Sequence, residues 1–369
     1  MKIVRIINSL GFGGAESQLV GLLPQLLNQG HQVIIITLLS KDNLISKMDK
    51  RAEYYSLNIS NARSFLKGLR KLFGIIAREK PALIHSDLLQ ANLLARLVKF
   101  RFPKIKVINT THCNYNLTTR SYNPYFLYRL TSKWVDLHTA VSKPALAALI
   151  TNKSISAKKS KLVLNAIDTA AFKGNTTSIN KPFRWIAIGR LIKDKDYKTM
   201  LDATKHLISN KAGFSLDIYG EGAERDDLEA YRKSFDFNNQ IHFLGVTNNI
   251  AQKLSFYHGF IISSQNEALP MALLEAMASG LPVVATDVGE IKEIITAANG
   301  GMVVEPKNPV ALAKAMTTLM DLDKNDLELL GTSNLKYVND TCSSTIIAKE
   351  WNNIYESFFE PGFSKDSRL

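Results

Sequence analysis

Short runs of β-branched and aliphatic residues alternate along this chain with longer stretches whose apolar positions recur at helical spacing. Lys2–Asn8 reads as a strand. A glycine-rich turn, Gly11–Gly14, leads into an amphipathic helix over Ala15–Gln29, which Gly30 stops. Further strands are predicted at Gln32–Leu38, Leu83–Ser86, Lys106–Thr111 and Leu137–Val141, with helices around 63–79 and over Ala91–Phe102. The pattern then restarts. Strands at Phe183–Gly189, Ser215–Tyr219, Ile241–Leu244, Phe260–Ser263 and Pro282–Thr286 alternate with helices at Tyr197–Asn210, Asp226–Phe235 and Met271–Ser279. Val303 and Val304 suit a last short strand, followed by helices near 309–321 and Ser344–Phe359. Such alternation predicts α/β architecture: two doubly wound parallel sheets with helices on both faces and a cleft between the domains. The polar stretch Asn175–Pro182 carries no period and reads as a surface connection. The expected bounds are 1–172, 173–343, and 344–369 for a last helix and tail packing back toward the first domain.

The length, 369 residues, suits two domains. Two cysteines, Cys113 and Cys342, exclude a disulfide scaffold and a cysteine-rich zinc module. The front apolar run, Val33–Leu39, falls far short of the roughly 20 residues that span a bilayer. Arg5 and Asn8 interrupt any export-signal core within Met1–Leu10. A cytoplasmic protein is expected.

Charge divides the chain. Residues 1–180 carry 26 basic and 8 acidic side chains, whereas residues 181–369 carry 20 and 25. A basic first half suits nucleic acid, anionic lipid or an anionic substrate, or simply a solvated surface. No zinc-finger spacing, RNA-binding aromatic motif or arginine-rich tail supports nucleic acid. Three segments mix cations with apolar residues. In the first, Phe65, Leu66, Leu69, Leu72 and Phe73 recur at helical spacing among Arg63, Lys67, Arg70 and Lys71. The others are Arg96–Lys106, with Phe100 and Phe102, and Arg120–Trp134, with Tyr122, Tyr125, Phe126 and Tyr128. Each fits docking on an anionic membrane, and each fits ordinary packing with a basic outer face.

Several constellations suit phosphate and sugar chemistry. Gly11-Phe12-Gly13-Gly14 joins a strand to a helix, where bare backbone N–H groups approach a phosphate; a plain tight turn fits as well. Arg190 and Lys195 follow the first strand of the second domain. Two fixed cations there suit a diphosphate leaving group, although Asp194 and Asp196 offer them local partners. Glu267 and Glu275 enclose an apolar run, and Pro270 fits the first turn of a helix. An offset of eight residues, if helical throughout, brings both carboxylates to one side, where they can accept from sugar hydroxyls. His85 and His112 end predicted strands, which points them into the cleft. No metal-ligand spacing stands out. Asp321 and Asp323 have the spacing of a carboxylate pair but lie at a late helix end.

Taken in order, these motifs resemble the family-4 retaining glycosyltransferases of GT-B fold, which have two doubly wound Rossmann-like domains facing across a cleft. Gly13-Gly14-Ala15-Glu16 resembles the family's GGAE loop. His85-Ser86-Asp87 with Ala91, Asn92 and Leu93 resembles its HSH…AN-LL segment. Thr111-His112, Ala140-Val141-Ser142 and the run Val163–Asp168 with Phe172 also have counterparts, as do Gly189-Arg190-Leu191…Lys195 and Tyr219–Gly222 with Arg225. His242–Gly245 resembles VxFLG, and Glu267…Glu275 through Gly280 resembles the EX7E block. The likeness covers residues 1 to about 300 and is specific through its order. Asp87 and Gln90 stand where many relatives have His, and Leu164, Ala166 and Ala223 also depart.

The resemblance implies roles. Arg190 and Lys195 would bind the nucleotide's phosphates and stabilise the leaving diphosphate. Glu275 would hold the ribose. Glu267 would hold a donor-sugar hydroxyl, with the backbone at Leu269, Pro270 and Met271 assisting. Gly13 and Gly14 would approach the diphosphate, and Gly245 would mark the base site. His112 would contact the donor sugar or the attacking region, with Glu16, His85, Asp87 and Gln90 on the acceptor side. The expected enzyme moves a hexose or N-acetylhexosamine, with retention and without metal or cofactor, from a nucleotide sugar to a lipid-linked or polysaccharide acceptor. UDP is the expected nucleotide, with GDP second. Bacterial surface-polysaccharide synthesis on the cytoplasmic face of the inner membrane would be its setting. The alternatives are another GT-B enzyme, such as a nucleotide-sugar epimerase, or a non-enzymatic basic module.

Overall fold

The computed structural model describes residues 1–114, 123–172, 182–209, 213–234 and 238–360. The chain divides into two compact units, Met1–Ile167 together with the chain from Ser344, and Asp168–Ser343.

The first unit holds β1 (Lys2–Ile7), α1 (Gly14–Asn28), β2 (Gln32–Thr37), β3 (Glu53–Ser56), α2 (Ala62–Glu79), β4 (Leu83–Asp87), α3 (Leu89–Arg101), β5 (Lys106–Thr111), α4 (Pro124–Leu130), β6 (Leu137–Ala140), α5 (Lys143–Thr151) and β7 (Ser160–Leu162). Its seven strands run parallel in the order β3-β2-β1-β4-β5-β6-β7. Strand alternation sorts the core into two layers. Ile3, Ile7, Val33 and Ile35 pack on the face covered by α1, while Val4, Ile6, Ile34 and Ile36 pack on the opposite face with Leu72, Ile76 and Leu94. Arg5 alternates with Ile3 and Ile7 and so lies on the α1 face.

The second unit holds β8 (Phe183–Ile188), α6 (Tyr197–Ser209), β9 (Phe214–Tyr219), α7 (Arg225–Lys233), β10 (Ile241–Gly245), α8 (Ile250–Leu254), β11 (Gly259–Ile262), α9 (Met271–Ala278), β12 (Val283–Thr286), α10 (Ile291–Ala298), β13 (Gly301–Val304), α11 (Pro309–Met320) and α12 (Lys324–Thr341). Its six parallel strands follow the order β10-β9-β8-β11-β12-β13. The last helix, α13 (Ser344–Ser357), belongs to the first unit. Its Ile347, Ala348, Trp351, Ile354 and Tyr355 join Leu19, Leu22, Leu23 and Leu26 of α1 in one cluster.

Local chemistry sets the element ends. The Asn61 side chain accepts from Ser64 N and the Ser64 hydroxyl from Asn61 N, a reciprocal cap that starts α2. Gly30, at φ +81°, turns the chain out of α1 into β2, a backbone region open to glycine.

Several expectations need correction. β3 and β7 were not anticipated, because both are sheet-edge strands without full burial and so lack an apolar run. Helices α4, α5, α8, α10 and α12 were also missed. Asp323 does not belong to a carboxylate site: it caps α12 by accepting from Asp326 N at 2.9 Å. Pro270 stands one residue before α9, as its cap, not inside its first turn. Asn210, Phe235, Arg120, Tyr122 and the connection up to residue 181 lie outside the described residues.

Candidate active site

In a doubly wound sheet the connections leave opposite faces where the strand order reverses, and the carboxyl ends there open a crevice. Here the reversal falls between β1 and β4 in the first unit, and between β8 and β11 in the second. Most of the singled-out residues follow those strands.

In the second unit, Gly189–Lys195 follows β8 and Ser263–Glu267 follows β11. Lys195 Nζ donates to Glu267 across the reversal, and the Ser264 hydroxyl donates to the same carboxylate oxygen at 2.8 Å. The Lys195 and Glu267 side chains are 20% and 10% exposed. They line a concavity with Tyr197, Ser263, Ser264 and Pro270. Burial, with the Glu267 charge assisting, pushes the Tyr197 phenol far above its ordinary value, so it stays neutral. Arg190 is exposed.

The loops beneath are tightly fitted. A Cβ on Gly220 would meet Gly189 O at 1.8 Å, and one on Gly222 would meet Leu191 O at 2.2 Å. Gly289, at φ +64°, lies against the carbonyls of Glu267 and Ala268, and Glu290 N donates to Ala268 O at 2.8 Å. The turn carrying Glu267 is thus held by its neighbours. Gly245, at φ +72°, ends β10, and its carbonyl accepts from Gly220 N at 2.9 Å. Glu275 lies within α9 and is half-buried, Met271 opens that helix half-buried, and Leu269 is buried. Because the helix starts at Met271, Glu267 precedes it, and the simple helical offset between the two glutamates does not apply.

In the first unit, Gly13 caps α1 without a side chain and Gly14 is its first residue. A Cβ on Gly13 would meet the Glu16 carboxylate at 2.3 Å, so the missing side chain leaves room for Glu16 to fold back over the loop. Asn8 Nδ2 donates to the exposed Gln90 at 2.9 Å, bridging the ends of β1 and β4. His112, just past β5, meets Asp87 Oδ1 with Nε2 at 2.9 Å.

His85 and Asp87 are enclosed by protein. Both are fully buried. His85 Nδ1 meets the Tyr355 hydroxyl at 2.7 Å and Nε2 meets Thr110 Oγ1 at 2.7 Å, while Trp351 packs against the ring at 4.3 Å. Asp87 Oδ2 accepts from Arg5 at 2.6 Å. The acceptor-contact expectation for these two is therefore corrected: Tyr355, Thr110, Arg5 and His112 occupy their polar atoms. Burial and the Arg5 charge hold His85 well below the ordinary histidine value. Burial alone would raise Asp87, but Arg5 and His112 outweigh it, and the carboxyl sits far below its ordinary value.

Sequence reasoning missed Arg5 and Tyr355 as parts of this network. A lone arginine inside the apolar strand Lys2–Ile7 was the available signal, since a buried cation demands a counter-charge. It also missed Leu88, which takes φ +75° directly after Asp87, a strained position for a side chain of that size. Among the described residues, no three His, Cys, Asp or Glu side chains gather to hold a metal ion.

Two family models match the chain in tandem. Glycosyltransferase Family 4 matches residues 12–171, and Glycosyl transferases group 1 matches residues 168–330. The capsular polysaccharide biosynthesis glycosyltransferase CapM of Staphylococcus aureus is 22% identical over 322 residues, spanning 82% of this chain and 83% of that protein. The N-acetylgalactosamine-N,N'-diacetylbacillosaminyl-diphospho-undecaprenol 4-alpha-N-acetylgalactosaminyltransferase of Campylobacter jejuni is 30% identical over 202 residues, 54% of each chain. Among solved structures, Anabaena HepE in complex with UDP-glucose superposes with a TM-score of 0.83 at 18% identity, covering 97% of this chain and 100% of that one. At that identity the likeness is one of fold.

Proposed function

The chain belongs to glycosyltransferase family 4, with the GT-B fold, and from that premise we propose that it moves a hexose or N-acetylhexosamine from UDP to a lipid-linked or polysaccharide acceptor with retention of anomeric configuration. The observation that carries this reading is the Lys195–Glu267 pair at the β8/β11 reversal, with the exposed Arg190 on the same β8 loop. A diphosphate brings negative charge that Lys195 and Arg190 match, and the Glu267 carboxylate accepts from sugar hydroxyls. Glu275 then holds the ribose.

In the proposed reaction the bond from the anomeric carbon to the β-phosphate oxygen breaks, with an oxocarbenium-like transition state. The negative charge growing on UDP meets cations already in place. The acceptor oxygen bonds to the anomeric carbon from the same face, and its proton passes to the departing phosphate. No metal is needed in this scheme, since Arg190 and Lys195 supply the positive charge. Transfer that persists in EDTA is the expected result.

A polysaccharide or lipid-linked acceptor agrees with the names of the two relatives, one of capsular polysaccharide biosynthesis and the other acting on a diphospho-undecaprenol-linked glycan. A resting place on the cytoplasmic face of a membrane agrees with the exposed side chains of the first unit. Phe65 and Leu66 of α2 are 38% and 60% exposed among the exposed Arg63, Lys67 and Arg70, and Phe100, Phe126 and Leu130 are more than half exposed. Leu72, Tyr125 and Tyr128, in contrast, are core residues. Among the described residues no helix is long and apolar enough to cross a membrane.

Calorimetric titration with UDP, GDP and dTDP tests the reading. UDP is expected to bind, and Arg190→Ala and Glu275→Ala each to weaken it about tenfold or more, as loss of a charge-assisted hydrogen bond does. Binding by no nucleotide sinks the proposal. Turnover of a UDP-sugar to its epimer without any acceptor would replace it with an epimerase.

A further inference from the structure

Asp87 is buried and ionised, with one oxygen on each of two partners. Oδ2 takes Arg5 at 2.6 Å and Oδ1 takes His112 Nε2 at 2.9 Å. On the far side, Arg5 also reaches the Tyr355 hydroxyl at 3.4 Å, and that hydroxyl holds His85. A carboxylate held ionised has no hydrogen to give, so the hydrogen in its contact with His112 must come from Nε2. A neutral His112 then carries its only ring proton on Nε2 and a lone pair on Nδ1. Nδ1 is itself buried, and it takes no hydrogen bond among the described residues. The ring is thus held at one edge and left with an unsatisfied acceptor at the other.

Resting on the sugar-transfer reading above, we propose that Asp87 is a positioning residue for that reaction: backed by Arg5, it locks His112 in the Nε2–H tautomer so that Nδ1 accepts a hydrogen bond from a substrate hydroxyl. Any group that satisfies Nδ1 must bring a hydrogen, which a sugar hydroxyl does and a phosphate or carboxylate does not.

The test begins with the unmodified full-length protein. Isotope-labelled histidine read by nitrogen NMR, with His112→Gln to assign the signal, reports the tautomer where the ring is neutral. A protonated Nε2 and a bare Nδ1 are expected, giving way to a mixture in Asp87→Asn. A wild-type His112 with its proton on Nδ1 overturns the proposal, and this readout needs no activity. The second arm is steady-state transfer from a UDP-sugar. Asp87→Asn is expected to lower kcat about tenfold or more while UDP affinity stays within about twofold, as loss of an interaction made chiefly in the transition state does. Unchanged kcat in a folded Asp87→Asn overturns the proposal. Absence of UDP binding by the wild type counts against the sugar-transfer reading instead, and the tautomer spectrum still decides the state of His112.

Discussion

Each unit sets an ion pair across its strand-order reversal, yet the two pairs live in different environments. Arg5 and Asp87 join β1 to β4 with both side chains 1% exposed, whereas Lys195 and Glu267, following β8 and β11, keep 20% and 10% of their surface. The difference comes from cover. Helix α13 lays Trp351 and Tyr355 against the network of the first unit, so Arg5 and Asp87 meet protein on every side. A buried pair whose partners are all fixed can orient a third group but cannot be traded for a ligand. A pair that reaches solvent can open when a diphosphate or a sugar offers better partners. On the proposed reading the first unit's pair is scaffold and the second unit's is reagent.

The largest effect expected from this contrast is on stability. Asp87→Ala strands a buried guanidinium and should cost about 3–5 kcal/mol, while Glu267→Ala should cost under about 1 kcal/mol because Lys195 can turn to water. Urea unfolding of both variants measures it. Equal losses would erase the distinction between scaffold and reagent.

Acid sensitivity comes next. His85 and His138 are buried, with Arg5 and Arg96 respectively nearby, and both hold below the ordinary value of 6.5. The unfolded chain takes up protons there before the folded one does. Their contribution is therefore full above about pH 6.5 and is lost as pH falls below it. Asp87, held below its ordinary value of 3.8, adds a second loss as pH falls beneath that point. Urea midpoints across that range should drop in two stages, and the second should shrink in Asp87→Asn. A flat profile down to about pH 5 would mean that the two histidines are not held neutral.

Tyr355→Phe should have a smaller effect, about 1 kcal/mol, because it removes one hydroxyl shared by His85 and Arg5 and leaves the Asp87 contacts in place. Calorimetric melting would read it. A cost as large as that of Asp87→Ala would shift the weight of the network onto α13. The smallest effect on the fold is expected from Leu66→Glu, since that side chain is 60% exposed. Its melting should be unchanged while sedimentation with anionic vesicles falls. Equal, negligible sedimentation of the wild type with anionic and neutral vesicles would remove the membrane from the proposal.

Much of this was legible from local pattern. Short, near-continuously apolar runs at Lys2–Ile7 and Gln32–Thr37, buried on both faces, with glycine breaks such as Gly30 and the restart at Phe183, announce two parallel sheets, because strand composition and turn chemistry are properties of a few adjacent residues. The half-buried edges β3 and β7 were illegible for the same reason, since pairing without full burial leaves no apolar run. Arg190, Lys195 and Glu267 were likewise visible as residue types placed after strands, and Glu275 as one within the following helix, and the fold puts them there.

Tertiary structure alone decided what the polar residues of the first unit touch. His85 and His112 look alike in sequence, each at a strand end, yet one is sealed under Trp351 and Tyr355 and the other has, among the described residues, an unsatisfied ring nitrogen. Arg5 and Tyr355 stand 350 residues apart and meet only because the last helix joins the first unit. Hydrophobic period reports which face of an element is buried, not which distant element covers it. The partners of a buried charge are set by that covering, and so they had to be found in the fold.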